Sequence, residues 1–388
     1  MADLRDVHDE LAAPVRLLPT DSATPPPDGT ALCLSGGGYR AMLFHVGVLM
    51  RLNEAGWLPK LDRVSSVSGG SITAGVLALH WDSLDFDASS GVAGNFADVV
   101  VKPLRALAKH TIDVPSVLIG LFEPLSSIGD HVASAYRKHL FGDKTLQDIP
   151  DRPRFVINST NLASGELFRF SKLYAADWRV GRIHSPDIPL ATAVACSSAF
   201  PPFLSPYHVD LSRAQWSTDD GNDLATPDYR GELRLSDGGV YDNLGLETAW
   251  KTCRTVLVSD AGGHLAAEAK PPADWGQHML RVLHVIDNQV RSLRKRQVID
   301  GLSRGDRDGV YLGIRSNVAD YQLTDPMPAD PALTLEIAAL STRLADLDDE
   351  TQEKLINWGY VMGDTGLRRH LDTAVPKGTL PYPGRPLT

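Results

Sequence analysis

The sequence is poor in cysteine, and this scarcity excludes two classes of protein. Its 388 residues include three cysteines, Cys33, Cys196 and Cys253, which lie far apart along the chain. A disulfide framework or a cysteine-rich zinc site needs more cysteines at closer spacing. Three scattered thiols are typical of a protein from a reducing compartment.

Basic residues and long apolar segments are also scarce. Lysine and arginine number 38 against 48 aspartates and glutamates, so the net charge is −10. This balance argues against nucleic acid as a partner. The most lipid-like segment, residues 114–122, is interrupted by Pro115 and is far shorter than the roughly 18 apolar residues of a membrane span. The N-terminus is acidic and lacks an apolar signal segment, so we expect a cytoplasmic protein whose membrane contact, if any, is peripheral.

The chain does contain the alternation expected of an α/β protein. Residues 1–29 are polar and carry a proline triplet, which predicts a flexible arm. From Thr30 a short apolar segment, a glycine turn and an apolar helical segment follow one another, and the pattern repeats from Arg63. Two such units in succession predict a parallel sheet flanked by helices.

The rest of the chain suggests how the domain is divided. We expect one domain over residues 30–320, in which the weaker periodicity of residues 81–150 indicates an insertion or cap. Residues 207–232 are rich in Asp, Ser and Asn, which predicts a surface excursion. Residues 321–388 are expected to form a helical extension packed on the domain, with one of its helices over residues 331–345.

The first candidate for chemistry is Ser68. The segment Ser66-Val67-Ser68-Gly69-Gly70 stands where a predicted strand turns into a helix, a setting that exposes a serine hydroxyl at a helix N-terminus. Gly70 is one of the small neighbours that let the flanking backbones approach. The elbow pattern G-x-S-x-G is met except at its first position, where Ser66 replaces glycine. A serine-rich helix cap would have the same composition, so this motif alone leaves both interpretations open.

A glycine triplet forms the second motif. Gly36, Gly37 and Gly38 also lie between a predicted strand and a helix, where their N–H groups could converge on an oxyanion. The segment lacks the Lys-Ser or Lys-Thr of a phosphate loop and the spacing of a dinucleotide site. Arg40, two residues further on, is either a fixed positive charge beside the site or a solvated residue at the start of the helix.

A nucleophilic serine needs a proton acceptor, and the sequence offers several. Asp237 follows a short predicted strand and precedes two glycines, so a tight turn could point its carboxylate into a site. Asp260, before Ala261-Gly262-Gly263, competes for the role. A Ser-Asp-His triad would use one of the later histidines, which are His264, His278, His284 and His370. None of them lies in a recognisable motif, so a direct Ser68–Asp237 dyad and a triad both remain open.

Taken together, the glycine triplet with Arg40, the serine elbow and the later Asp-Gly-Gly resemble the patatin-like phospholipases. The similarity spans residues 30–263 and includes Ser197-Ser198-Ala199-Phe200-Pro201-Pro202. Ser35 and Ala41 depart from the family's usual D-G-G-G-x-[KR]-G and make the loop more similar to that of the mammalian cytosolic phospholipases. The resemblance implies a three-layer α/β/α fold with a mainly parallel central sheet, a helical cap and a helical C-terminal region.

The resemblance also implies roles for single residues. Ser68 would attack an acyl ester of a lipid, Asp237 would accept its proton, and the amides of Gly36, Gly37 and Gly38 would bind the oxyanion, with Arg40 and Gly70 in support. It implies no metal and no organic cofactor. Residues 114–125 and the basic residues 291–296 are candidates for contact with lipid. An esterase with a triad and a lipid-binding protein without activity are the alternatives, and the oligomeric state stays open.

Overall fold

The two strand–glycine–helix units form the centre of the molecule. The computed structural model describes residues 29–113, 128–202, 204–217 and 222–388. Apolar residues fill both the strands and the helix that follows the first glycine turn, which is buried almost all round. Continuous apolar character of this kind is typical of parallel strands and of helices covered on both sides.

The described residues form ten strands and a set of helices. The strands are β1 Thr30–Leu34, β2 Arg63–Ser66, β3 Arg154–Asn161, β4 Glu166–Phe170, β5 Tyr174–Asp177, β6 Gly181–His184, β7 Tyr207–Asp210, β8 Glu232–Asp237, β9 Thr255–Asp260 and β10 Asp308–Gly313. The α-helices are α1 Gly38–Glu54, α2 Gly69–His80, α3 Lys102–Leu107, α4 Ile128–Tyr136, α5 Leu190–Ser197, α6 Pro227–Arg230, α7 Gly239–Asp242, α8 Leu246–Trp250, α9 Trp275–Ser303, α10 Pro331–Ala338 and α11 Asp349–Gly366. Short 3₁₀ segments are Leu58–Lys60, Trp81–Ser83, Leu146–Asp148 and Val318–Tyr321, and π-helical segments are Ala97–Val101, Arg137–Phe141 and Leu367–Leu371.

The sheet has a parallel half and an antiparallel half. Strands β10, β9, β1, β2 and β3 lie side by side and run in one direction. Strands β4, β5 and β6 continue from β3 as antiparallel neighbours, and β8 pairs antiparallel with both β3 and β7. The parallel half is the part that the sequence predicts, and the α/β class is confirmed.

Two sequence expectations need correction. Residues 207–232 are not wholly an excursion, because β7 lies in the sheet with Tyr207 and Val209 buried and His208 and Asp210 exposed. The helix expected over residues 331–345 ends at Ala338. The carbonyls of Ala338 and Leu340 accept hydrogen bonds from the buried Arg40 guanidinium, at 3.0 and 2.7 Å, which holds this segment in a non-helical path.

The C-terminal part packs against the first helix of the domain. Helix α11 lies along α1, and the buried side chains of Arg51 and Asp364 form an ion pair between them, with Nε and Oδ1 separated by 2.9 Å. Residues 342 and 343 reach the glycine turn, where Tyr39 N–H donates to the carbonyl of Arg343 at 3.1 Å. Residues 321–388 therefore support the segment that carries the glycine triplet.

Some predicted features lie outside the described residues. They are most of the N-terminal arm, residues 1–28, and the apolar candidate for lipid contact, residues 114–125. Within the ranges that are described, no helix combines the length and apolar character needed to cross a bilayer.

Candidate active site

The register of β3 brings the ends of two distant strands together. Ser66, at the end of β2, pairs with Ile157, and Asp237, at the end of β8, pairs with Ser159. The two partners are two positions apart on β3, which corresponds to about 7 Å. Because β2 and β8 occupy the same edge of β3 and run toward each other, Ser68 and Asp237 meet where the two strands end.

Ser68 forms a strained turn between β2 and α2. Its backbone has φ 53° and ψ −122°, in a region that residues with a side chain rarely adopt. Its N–H donates to Ser197 Oγ at 3.0 Å. Such a turn presents the hydroxyl at the positive end of the following helix.

The neighbours of Ser68 explain how the elbow is accommodated. Gly70 N–H donates to the carbonyls of Ser35 and Val67, and a side chain there would come within 2.4 Å of the Leu34 carbonyl oxygen. Ser66 belongs to strand β2, where extended backbone tolerates a side chain, and its Oγ accepts a hydrogen bond from Ser71 at 3.0 Å. The serine in place of the first glycine is thus compatible with the turn.

Asp237 is a buried carboxyl group with one oxygen poorly satisfied. Oδ1 accepts the Gly239 N–H at 2.7 Å, and Oδ2 has no well-formed hydrogen bond to the described residues. Burial raises the pKa of Asp237 to about 7, while hydrogen bonding from Gly239 and from the Ser68 side chain opposes the rise. The Ser68 hydroxyl therefore lies close enough to the Asp237 carboxyl to affect its pKa.

The glycine triplet lies against the serine elbow. A Cβ added to Gly36 would fall 3.1 Å from Ser68 Cβ and 2.4 Å from Asn243 Oδ1. The N–H of Gly36 donates to the Asn243 carbonyl at 3.1 Å, so this amide is already engaged. Gly37 and Gly38 have φ of 142° and 59°, and their N–H groups have no acceptor among the residues that the structure describes. Two of the three predicted donors are thus available.

Arg40 supports the glycine turn from behind. Its side chain is 2% exposed, and its guanidinium donates to the carbonyls of Ala338, Leu340 and Ala261. Burial lowers its pKa to about 10, well above neutrality. The interpretation of Arg40 as a solvated residue is wrong, because its charge is used to hold three backbone segments together.

The competing proton acceptors are located elsewhere. Asp260 Oδ1 accepts the Gly262 N–H at 2.8 Å, and its Oδ2 accepts the Tyr311 hydroxyl at 2.5 Å. The four candidate histidines are all exposed, and in the described part of the chain none hydrogen bonds with Ser68 or Asp237. A histidine that the sequence did not single out, His45, lies behind the glycine turn and bridges Ser259 Oγ and the Ser35 carbonyl.

Sequence reasoning also missed two positioning residues. Asn243 accepts the Gly36 N–H, and its side-chain amide stands beside Gly36, Gly239 and Gly262. Ser197 Oγ accepts the Ser68 N–H and donates to the Asn158 carbonyl at 2.6 Å. Ser197 is the first residue of the Ser-Ser-Ala-Phe-Pro-Pro segment. The similarity of this segment to the family was the one feature of the sequence that pointed to Ser197.

The sequence model of the patatin-like phospholipases matches residues 32–250, more than half of the chain. The chain belongs to this family. The match contains both Ser68 and Asp237.

Individual relatives are more distant. Triacylglycerol lipase ptl3 of Schizosaccharomyces pombe is 28% identical over 179 residues, which are 44% of this chain and 33% of that protein, so the chain spans about a third of its relative's length. Human GIVD cytosolic phospholipase A2 is a similar structure, with a TM-score of 0.49 and 12% identity over 94% of this chain and 63% of that one. VipD from Legionella pneumophila has a TM-score of 0.37 and 17% identity, covering 89% and 67% of the two chains.

Proposed function

We propose that this chain hydrolyses acyl esters of lipids with a Ser68–Asp237 dyad. The observation that carries the proposal is the meeting of a serine with a positive φ and a buried carboxyl group, one oxygen of which has no hydrogen-bond partner among the described residues. Strain at Ser68 and burial at Asp237 both cost stability, which is typical of residues retained for chemistry. Family membership supports the reaction class.

The reaction would proceed in two steps. Asp237 takes the hydroxyl proton as Ser68 Oγ attacks the ester carbonyl, and the protonated acid then gives this proton to the departing alcohol. The acyl group remains on Ser68. In the second step Asp237 removes a proton from water, the hydroxide attacks the acyl-serine, and the proton returns to Ser68 as the fatty acid leaves.

The position of the free amides suits the charge that develops. The N–H groups of Gly37 and Gly38 are unpaired in the described structure, and the turn that they belong to lies against Ser68. Removing one oxyanion donor costs on the order of 100- to 1,000-fold in turnover, so two donors are worth several kcal/mol. Gly36 would shape the turn rather than donate, since its amide is bonded to Asn243.

The raised pKa of Asp237 suits a base that works near neutrality. A carboxyl with a pKa of about 7 is a stronger proton acceptor than an exposed aspartate, yet it is half ionised at pH 7. We therefore expect kcat/KM to rise with pH up to about 7 and to level off above it.

Hydrolysis of a soluble ester tests the proposal. Purified protein should release p-nitrophenol from p-nitrophenyl butyrate, and Ser68→Ala should lower kcat by roughly 10,000-fold or more. Ser185→Ala is the matched control, because Ser185 is an exposed serine with a positive φ of 43° outside the site. Full activity in Ser68→Ala would reject Ser68 as the nucleophile.

A further inference from the structure

The side chain of Asn243 lies between the turn that carries Asp237 and the turn that carries the glycine triplet. A Cβ added to Gly239 would fall 2.6 Å from Asn243 Oδ1 and 3.0 Å from Asp237 Oδ1. A Cβ added to Gly36 would fall 2.4 Å from the same Asn243 oxygen and 3.1 Å from Ser68 Cβ. The Asn243 oxygen is therefore within reach of a small molecule that also contacts either member of the proposed dyad.

The main chain fixes Asn243 in this position. Asp242, the preceding residue, is buried, and its carboxylate accepts the N–H groups of Leu244 at 3.2 Å and Glu247 at 2.7 Å. The Asn243 carbonyl accepts the Gly36 N–H at 3.1 Å, which joins this turn to the glycine triplet. A substitution of the Asn243 side chain leaves these main-chain contacts in place, so the contribution of its amide group can be measured separately.

The amide group of Asn243 is not used by the fold. Asn243 is partly buried, yet its side chain has no hydrogen bond to the residues that the structure describes. By contrast, Asn357 in α11 uses both its amide nitrogen and its amide oxygen to hold the C-terminal segment. An amide group removed from water without partners costs free energy. The Asn243 side chain thus keeps its hydrogen-bonding capacity for a molecule that enters the site.

The position of this amide favours contact with water over contact with the oxyanion. Its oxygen is the atom nearest to a Cβ on Gly36 or on Gly239, beside the proposed base. A Cβ on either proposed oxyanion donor, Gly37 or Gly38, would first meet a carbonyl oxygen of another segment. An amide oxygen accepts a hydrogen bond from water, whereas an oxyanion has no hydrogen to donate to it.

We propose that Asn243 is a catalytic residue of the second step, where it orients the attacking water. The proposal rests on the function given above, since it needs an acyl group on Ser68. Asn243 Oδ1 accepts one hydrogen of the water while Asp237 removes the other as a proton, so the lone pair of the water oxygen points at the acyl carbon. The new carbon–oxygen bond forms, the bond to Ser68 Oγ breaks, and Asp237 returns the proton to that oxygen. The first step does not use this contact, because an ester oxygen has no hydrogen to donate.

Two substitutions at Asn243 test the proposal with p-nitrophenyl butyrate. Asn243→Ala removes the whole amide group, and Asn243→Asp, the matched variant, retains a side-chain oxygen but loses the N–H groups. Release of p-nitrophenol by an excess of enzyme measures acylation of Ser68. Loss of the butyryl adduct from Ser68, followed by mass spectrometry, measures deacylation.

We expect Asn243→Ala to acylate within about twofold of the parent rate and to deacylate roughly 10- to 100-fold more slowly. Acylation at the parent rate also shows that the variant is folded. Asn243→Asp should deacylate at least roughly fivefold faster than Asn243→Ala at pH 9, where Asp237 is ionised. Its deacylation rate should rise at a higher pH than in the parent, because a second carboxylate raises the pKa of Asp237.

Three results would overturn the proposal. Equal slowing of both steps in Asn243→Ala would indicate a donor to the oxyanion, and so would an Asn243→Asp variant that deacylates no faster than Asn243→Ala. Unchanged deacylation in Asn243→Ala would show that the amide has no part in the second step. A parent protein that forms no adduct on Ser68 would instead refute the proposed function, so the two failures are distinguishable.

Discussion

Two aspartates at strand ends have similar backbone surroundings and different side-chain partners. Asp237 and Asp260 are the last residues of β8 and β9, and each accepts an N–H from a glycine two residues later, at 2.7 and 2.8 Å. They differ at the second carboxylate oxygen, which is unsatisfied in Asp237 and bonded to the Tyr311 hydroxyl in Asp260. A turn motif thus positions both carboxylates, and among the described residues Asp237 alone of the two keeps an oxygen without a hydrogen-bond donor.

The second turn nevertheless contributes to the site. The Ala261 carbonyl, next to Asp260, accepts a hydrogen bond from Arg40 at 2.7 Å and lies against Gly37. The Ser35 hydroxyl oxygen accepts a hydrogen bond from the Ala261 N–H at 2.8 Å. The turn at Asp237 would therefore supply the base, and the turn at Asp260 supports the glycine turn.

The largest predicted effect separates the two aspartates directly. Asp237→Asn should lower kcat for p-nitrophenyl butyrate by roughly 1,000-fold or more, because an amide cannot accept the Ser68 proton. Asp260→Asn retains a side-chain oxygen that can accept the Gly262 N–H, and its kcat should stay within about threefold of the parent value. Steady-state kinetics of the two variants measure this difference. If they lost activity equally, the distinction between the turns would be unfounded.

A smaller effect is expected where the second turn meets the glycine triplet. A methyl group at position 37 would lie 2.6 Å from the Ala261 carbonyl oxygen. The alanine backbone would also have to keep φ 142°. Gly37→Ala should displace the proposed oxyanion donors and lower kcat roughly 100-fold. Gly165→Ala is the matched control, because Gly165 has φ 77° and open space around it. It should cost about 1–2 kcal/mol of stability and leave kcat unchanged. A normal kcat in Gly37→Ala would remove the support for Gly37 as a donor.

The third effect is on stability rather than on turnover, and it depends on pH. The pKa of Asp237 is about 7 in the fold and about 4 in the unfolded chain, so between these values the native state holds the proton more tightly. The free energy of unfolding contributed by this group therefore falls as pH rises from about 4 to 7, by about 4 kcal/mol at most. Asp237→Asn should be more stable than the parent at pH 8 and should lose this advantage near pH 4. Urea denaturation at the two pH values measures it, and an advantage that is the same at both would contradict the raised pKa.

The sequence allowed prediction of those parts of the site that lie at strand ends. Ser68, Asp237 and the glycine triplet were predicted because strand, glycine and helix follow one another locally. Parallel pairing of β1 with β2 brings the glycine triplet to Ser68, and antiparallel pairing of β8 with β3 brings Asp237 to the end of β2. Strands β5 and β6 are as short as β2, and they were missed because they form an antiparallel pair without the glycine turn and helix that follow β2. Such short segments lack a measurable alternation of apolar and polar residues.

The supporting residues could not be predicted, since they act across long sequence separations. The partners of Arg40 include the carbonyls of Ala338 and Leu340, about 300 positions away. Backbone carbonyls carry no sequence signal, so the buried role of Arg40 became visible only in the fold. The same holds for Asn243, whose main-chain oxygen holds Gly36.

Covalent labelling tests the central claim most directly. The protein is treated with a fluorophosphonate at pH 8, and the modified residue is identified by peptide mass spectrometry. We predict one adduct, on Ser68, which forms at the parent rate in Asp260→Asn and at least roughly 100-fold more slowly in Asp237→Asn. An adduct on another residue, or labelling of Ser68 that is indifferent to Asp237→Asn, would contradict the dyad.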